Sequence, residues 1–441
     1  MFNHTIAAIS TPLAQGAISI VRISGEDAFT IAGKVLDIDT TKVESHTIHY
    51  GHVIDQDTII DEVLVSFFRA PRTYTKEDIV EINCHGGVYI TKKILSLILS
   101  KGAKLANPGE FTQRAFYHGR IDLTQAEAVQ DMIEATNDTA SQLAISGIQG
   151  SVKKLLDPLI EDVLNIIAQI EVNIDYPEYE DIEQLTQDDL LPKVRQWLMD
   201  IDSILKRAQT GQVAKHGIDT VIVGRPNVGK SSLLNALLEE DKAIVTDIAG
   251  TTRDIVEGQF HIGQALFNLI DTAGIRESED AIEQIGIEKT QEKLEQAQLV
   301  ILVLDGSQPL TKEDEELLEV TKNKTRIVVY NKQDLSKQQS DQLWISAQNN
   351  QIQPLLDAME ALYQQDVIKE NPLVSNERQI GLLFQAKESM EKAKEALEMH
   401  IEPDLVELDI QNAHNCLKEI LGEVHREDLL DALFSKFCLG K

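Results

Sequence analysis

The spacing of apolar residues divides the chain into four stretches of different rhythm. In residues 1–118 apolar and polar positions alternate in "AISIVRISG", "EVLVSFFRAP" and "DIVEINCHGG", with one helical run, "YITKKILSLILSKGA". Period-two runs beside a single 3.6-period run predict a compact α+β domain. The rhythm turns helical at "RIDLTQAEAVQDMIEATN", where Thr124 followed by Glu127 reads as a capping box and Ala126, Val129 and Ile133 keep helical spacing. Residues 119–214 continue as long amphipathic helices, including "LLDPLIEDVLNIIAQIEV" and "LPKVRQWLMDIDSILKRAQ". The acidic run "DYPEYEDIEQ" between them reads as a solvated connection. In residues 215–370 apolar strands alternate with helices, and the runs predict strands at 219–223, 265–270, 299–304, 326–330 and 343–346 in a parallel sheet. Residues 371–441 return to amphipathic helices, the last of them, "EDLLDALFSKF", ending near Phe437. Helical segments that cannot bury both faces alone pack together, so the expected architecture is one all-α domain interrupted by an inserted α/β domain.

Composition narrows the class. The chain has 441 residues, 42% of them hydrophobic, enough for more than one buried core. Its three cysteines, Cys84, Cys416 and Cys438, lie far apart, which fits a reducing compartment better than a disulfide framework. No Cys/His cluster has zinc-ligand spacing. The start, "MFNHTIAAISTPLAQG", lacks the basic region and long apolar core of a signal peptide, and no apolar run approaches the roughly 20 residues that span a bilayer. A cytoplasmic protein without a membrane partner is expected. The net charge of −31 should repel phosphate backbones, so any work on RNA requires a local basic patch or a basic partner. The plainer reading is a solubilising acidic surface.

The α/β stretch carries the chemistry. "VIVGRPNVGKSSLLNALL" follows a strand and opens a helix, and matches G-x-x-x-x-G-K-[ST] at Gly224, Gly229, Lys230 and Ser231. The glycines let backbone N–H groups approach phosphates, Lys230 brings charge to the β/γ-phosphates, and the Ser231 hydroxyl is placed for Mg²⁺. "NLIDTAG" ends a strand with Asp271, Thr272, Ala273 and Gly274, where Asp271 supports Mg²⁺ and the Gly274 N–H meets the γ-phosphate. "VVYNKQD" ends another with Asn331, Lys332, Gln333 and Asp334. The Asp334 carboxylate accepts both the ring N–H and the exocyclic amine of guanine, a pair that adenine lacks. Lys332 packs along the base, and "WISAQ" supplies Ser346, Ala347 and Gln348 as its buttress. Three motifs in order, each at the carboxyl end of a strand, are where an open α/β sheet binds ligands; GTP is the expected nucleotide. Asn227, Val228 and Ser232 complete the phosphate loop.

"TDIAGTTRDI" lies where GTPases keep a mobile switch, so Thr246, Asp247, Ile248, Ala249, Gly250, Thr251 and Thr252 are candidate nucleotide contacts, with Thr252 the second Mg²⁺ hydroxyl. Ile275 stands where Ras-like proteins orient water with Gln. The acids that follow (Glu277, Glu279, Asp280, Glu283 and Glu288) leave that role open on composition alone.

Four features together resemble the MnmE (TrmE) family of tRNA-modifying GTPases: "AISIVRISG", "CHGG" with "GEFTQRAFYHGRIDLTQAEAV", the inserted GTPase, and the terminal "FCLGK". The resemblance spans essentially the whole chain. It implies a folate-binding-like α+β domain over 1–118 that dimerises, a helical domain over 119–214 and 371–441, and a P-loop GTPase over 215–370. A reduced folate (5-formyl- or methylene-tetrahydrofolate) would meet Arg22, Glu81, Arg120 and Lys441. Arg120 departs from the family's usual lysine, replacing a point charge by a planar fork. K⁺ would be held by Asn227, Thr246, Ile248 and Thr251, and Glu283 would orient the attacking water, with Lys230 as the catalytic charge. The resemblance further implies a homodimer and a flavoprotein partner, MnmG (GidA), in a heterotetramer or larger complex. That complex adds an aminomethyl or carboxymethylaminomethyl group at carbon 5 of the wobble uridine, and tRNA binds mainly through it. The alternative, a GTP-dependent ribosome-assembly switch, usually carries a basic RNA-binding domain that this chain lacks. Cys438, fourth from the end, imitates a prenylation box, but Gly440 and Lys441 suit that box poorly. Cys438 is therefore a candidate for catalysis, or else a packed thiol.

Overall fold

The computed structural model describes residues 4–175, 187–239, 256–262, 265–270, 294, 297–336, 342–367, 374–424, 427–437 and 440. The chain forms two compact units, one of residues 1–134, 144–198 and 381–441, the other of 135–143 and 199–380.

The first unit opens with a six-stranded sheet of β1 (Ile6–Ile9), β2 (Ile18–Ser24), β3 (Thr47–Asp55), β4 (Thr58–Phe68), β5 (Ile79–His85) and β6 (Lys104–Leu105), in spatial order β3-β4-β5-β2-β1-β6. Neighbours run antiparallel except β1 and β6. Alternate side chains of a strand share one face. Here Val21, Ile23, Val65, Phe67, Val80 and Ile82 face a core completed by α1 (Ala28–Gly33) and α2 (Val88–Ser100). Elsewhere on the strands Ile18, Ile48, Tyr50 and Leu64 stay 51 to 68% exposed, with Tyr50 directly opposite Leu64.

Helices α3 (Glu110–Tyr117), α4 (Leu123–Glu134), α5 (Asp138–Ile148), α6 (Ser151–Asp175) and α7 (Gln187–His216) follow. The start of α4 corrects the expected cap. Asp122 Oδ1 accepts from Gln125 N at 2.9 Å and from Thr124 Oγ1 at 2.6 Å, while Gln125 Oε1 accepts from Asp122 N at 3.0 Å. The capping box is thus Asp122–Gln125, not Thr124–Glu127. An ionised carboxylate two residues upstream is the stronger acceptor, and Thr124 and Glu127 are buried instead.

The second unit holds β7 (Ile218–Val223), β8 (Val256–Ile262), β9 (Ala265–Ile270), β10 (Leu299–Asp305) and β11 (Arg326–Asn331), in spatial order β11-β10-β7-β9-β8. Besides the stretch of α7 from Met199 on, its described helices include α8 (Lys230–Glu239), α9 (Lys312–Val320) and α10 (Gln353–Val367). Four expected strands are present within a residue at each end. Every residue of β10 is buried, as in a central parallel strand covered on both faces. The fifth expected strand, 343–346, forms only isolated bridges, Trp344 with Tyr330 and Ser346 with Gln351, before a 3₁₀ turn at Ala347–Asn349. Strand β8 was not expected. It pairs antiparallel with β9, so the sheet is mixed, and Phe260 stacks on Phe267 at 5.4 Å.

The returning helices α11 (Glu377–Glu398), from Gly381 on, α12 (Pro403–Leu421) and α13 (Glu427–Phe434) complete the first unit. The two helical segments pack as their amphipathic patterns require. Trp197, 1% exposed, donates its indole N–H to Leu159 O at 3.0 Å, Arg195 pairs with Glu398 at 2.9 Å and Lys153 with Glu423 at 3.6 Å. Helix α13 ends at Phe434, three residues before the expected Phe437, and Gly440 turns the tail at φ +86°.

Replacing Asp122 by Ala should destabilise the first turn of α4 by about 1 kcal/mol, so its amides exchange hydrogen roughly fivefold faster. Unchanged exchange would return the cap to Thr124.

Candidate functional site

The phosphate loop joins β7 to α8. A Cβ on Gly224 would come within 2.5 Å of Val303 O, so only glycine fits there. Asn227 at φ +63° and Gly229 at φ +97° turn the backbone left-handed, the alternation that builds an anion-binding concavity of N–H groups. Val228 is fully buried and anchors the loop, whereas Asn227, Ser231 and Ser232 are exposed. Lys230 opens α8, at the positive end of the helix dipole. Its Nζ donates to the carbonyls of Gly224 and Arg225, both at 2.8 Å, and burial pushes its pKa below the ordinary lysine value.

The Asn-Lys-x-Asp segment lies at the end of β11. Asn331 Nδ2 donates to Val228 O at 2.8 Å and its Oδ1 accepts from Ala347 N at 3.0 Å. Lys332 has φ +67° and donates from Nζ to Asp305 Oδ2 at 2.8 Å. Gln333 N donates to Ile345 O at 3.0 Å, which closes the turn that presents Asp334. Asp334 is exposed, with Oδ1 held by the buried Ser346 hydroxyl at 2.6 Å. Gln348, two residues after Ser346, is exposed. A carboxylate fixed at one oxygen by a buried donor is oriented before a base arrives. Thr246 to Thr252, Asp271 to Gly274, Glu283, Cys438 and Lys441 lie outside the described residues.

In the first unit Arg22 stands directly opposite Glu81 in the β2–β5 register. Arg22 Nε donates to Glu81 Oε1 at 2.8 Å, and its Nη1 donates to Gly440 O at 3.2 Å. Gly440 O also accepts from Ser10 Oγ at 3.0 Å. Glu81 and Arg120 line one cavity of about 410 Å³, with Phe68, Ile79, Tyr74 and Arg72 in its wall. The Arg120 guanidinium lies 4.9 Å from the centre of the Tyr74 ring. Burial holds the Tyr74 phenol above its usual pKa, so it stays a neutral partner for Thr112 at 2.9 Å. Arg72 and Tyr74 escaped the sequence reading. Their signal was an Arg and a Tyr in "APRTYTKED", the loop entering the strand that carries Glu81. Among the described residues no group of His, Cys, Asp and Glu could hold a metal ion, and no helix is long and apolar enough to cross a membrane.

A phosphate loop after β7, an Asn-Lys-x-Asp segment after β11 and a Ser-Ala buttress define a P-loop GTPase. Comparison with known proteins then narrows the class. Residues 123–438 match the family model of the MnmE helical domain, and residues 5–120 match that of the GTP-binding protein TrmE N-terminus. A protein named tRNA modification GTPase MnmE from Streptococcus thermophilus is 47% identical over 450 residues, covering 99% of this chain and 98% of its own. Proteins of the same name from Levilactobacillus brevis and Bacillus cytotoxicus are each 48% identical, again over 99% of this chain. The G domain of the T. maritima FeoB iron transporter is 25% identical over 34% of this chain and 99% of its own, with a TM-score of 0.25. The chain belongs to the MnmE family of tRNA modification GTPases, and it is a GTP hydrolase.

Replacing Asp334 by Asn removes the charged acceptor for guanine. GTP affinity should fall by about 3 kcal/mol, roughly a hundredfold, and xanthosine triphosphate should bind the variant better than GTP. A nucleotide titration showing unchanged GTP binding would remove Asp334 from base recognition.

Proposed function

We propose that the chain is a potassium-stimulated GTPase that acts as a homodimer with the flavoprotein MnmG and modifies carbon 5 of the wobble uridine of certain tRNAs. The product is an aminomethyl or carboxymethylaminomethyl substituent. The observation that carries this reading is the cavity shared by Glu81 and Arg120, tied through Arg22 to the backbone of the C-terminal tail. A GTP-driven switch alone has no use for such a cavity.

Its residues fit a reduced folate. An acid suits the ring N–H and amine of a pterin, apolar and aromatic walls suit its faces, and a guanidinium suits a carboxylate. Bound folate would supply a one-carbon unit or its analogue. Arg22 and Ser10 hold the carbonyl of Gly440, the residue before Lys441, which supports Lys441 as a ligand contact; Cys438 would be a chemical group. In the GTPase, Ser231 with Thr252 would hold Mg²⁺, and Asn227, exposed on the loop, with Thr246, Ile248 and Thr251 would hold K⁺. A monovalent cation there would offset charge developing on the phosphates. Lys230 would add its own charge, and Glu283 would orient water. The bare apolar side chains Ile18, Ile48, Tyr50 and Leu64 support dimerisation through the first sheet. The net charge of −31 favours tRNA binding mainly through the partner.

Mass spectrometry of tRNA nucleosides from cells with and without this protein tests the reading; wobble uridines modified equally in both would overturn it. GTP hydrolysis should run faster in K⁺ than in Na⁺, and Asn227→Ala should abolish that difference. Equal rates in both salts for the parent protein would remove the cation site.

A further inference from the structure

Strand β10 ends on a charge that no nucleotide motif accounts for. Asp305 is 5% exposed at the end of seven consecutive buried residues, and carboxylates seldom stay buried unless they are paired. Both its oxygens are engaged. Oδ1 accepts from Ser307 N at 3.0 Å and Ser307 Oγ at 2.6 Å, and Oδ2 accepts from Lys332 Nζ at 2.8 Å. Arg225 of the phosphate loop brings Nη2 to 3.8 Å from the same Oδ2 and Nε to 3.3 Å from Oδ2 of Asp314, itself 1% exposed. Two cations from two nucleotide motifs thus face two buried carboxylates.

We propose that Asp305 is a positioning residue for guanine selection, holding the Lys332 stem where the base will lie and linking it through Arg225 to the phosphate loop. The register supports this. Asp305 is paired with Asn331 across β10 and β11, and Gly306 N donates to Asn331 O at 2.8 Å, so the acid sits one residue from the lysine it holds. Lys332 leaves a left-handed backbone at φ +67°, and Asp305 fixes the far end of its side chain. A free lysine samples many rotamers. One held at both ends presents its methylenes as a ready platform, and the entropy lost on binding falls accordingly. With Oδ1 taken by Ser307 and Oδ2 by Lys332, Asp305 acts through Lys332.

The test uses the full chain, titrated with fluorescent GTP and GDP analogues alongside steady-state hydrolysis. Asp305→Asn keeps the shape and removes the charge. It should weaken both nucleotides roughly tenfold and raise KM, with kcat at saturating GTP within about twofold of the parent. In a Lys332→Met background the same change should add no further loss, because the group it acts through is gone. Equal losses in both backgrounds would overturn the assignment, and so would an unchanged affinity in the parent. A merely structural acid would lower the melting temperature and the affinity alike whether or not Lys332 is present. If Asp305→Asn does not fold, Asp305→Glu replaces it. That variant should weaken GTP roughly threefold in the parent and not in the Lys332→Met background, and equal losses would again overturn the proposal.

Discussion

The nucleotide site depends on the two hydrogen bonds of the Asn331 side chain. It is 3% exposed, and its amide spans from a carbonyl of the phosphate loop, Val228 O, to an N–H of the base loop, Ala347 N. No other residue of that size does both. Aspartate lacks the donor, and leucine leaves two buried backbone groups unpaired at about 1–3 kcal/mol each. The same amide explains part of the phosphate loop's composition. A Cβ on Gly229 would collide with Asn331 Nδ2, so position 229 must be glycine for space as well as for its φ of +97°. Parallel strands bring all three segments to one edge of the sheet, and Asn331 sets their spacing there.

In the first unit the equivalent constraint is a buried guanidinium. Arg114 is fully buried and pairs with Glu110 Oε1 at 2.8 Å and Glu77 Oε1 at 3.0 Å, while Ser24 Oγ donates to Glu77 Oε2 at 2.8 Å. Glu77 closes the loop that carries Arg72 and Tyr74 into the cavity wall. The loop is pinned again where Lys76 Nζ donates to the carbonyls of His118 and Gly119, at 2.8 and 3.0 Å. Removing Arg114 would leave carboxylates buried without a counter-charge, a loss of about 3–5 kcal/mol. The cavity therefore takes its shape from an ionic cluster behind it rather than from its own lining.

Much of this was legible in the sequence where a single rule operates. Long apolar runs such as "LVILVL" have one stable outcome in a covered sheet, and the phosphate loop and Asn-Lys-x-Asp segment are tied to fixed positions on it. The misreadings fall where two rules compete. Thr124–Glu127 and Asp122–Gln125 both satisfy the capping pattern, and only the hydrogen bonds separate them. The 343–346 run looks like a strand because Tyr330 N and Ile345 N make ladder bonds, but Ser346 turns away to reach Asp334. Strand β8 has a plain alternation in Gly258, Phe260 and Ile262, yet it follows a Thr/Gly-rich stretch whose composition signals a switch rather than a strand. Asp305 leaves no mark in the apolar pattern, which stops at Leu304, one position short of the charge.

The distribution of cations then separates two roles within the GTP site. With 72 acidic residues against 41 lysines and arginines, the protein's overall field opposes a triphosphate, so attraction must come from desolvated charges nearby. Arg225, Lys230 and Lys332 are the cations at hand, but they are held differently. Arg225 and Lys332 each face a carboxylate, and moving either one would strand Asp305 or Asp314 in a buried place. Lys230 donates to two carbonyls of its own loop, neutral acceptors that lose little when the ammonium leaves. Burial has already stripped part of its water, and its lowered pKa records that cost. Among the described residues Lys230 has no carboxylate partner, and a phosphate would supply an anionic one, while Arg225 and Lys332 keep theirs. Neutral carbonyls therefore hold Lys230, whereas buried carboxylates hold Arg225 and Lys332, so of the three Lys230 gives up least charge pairing if it turns toward an anion.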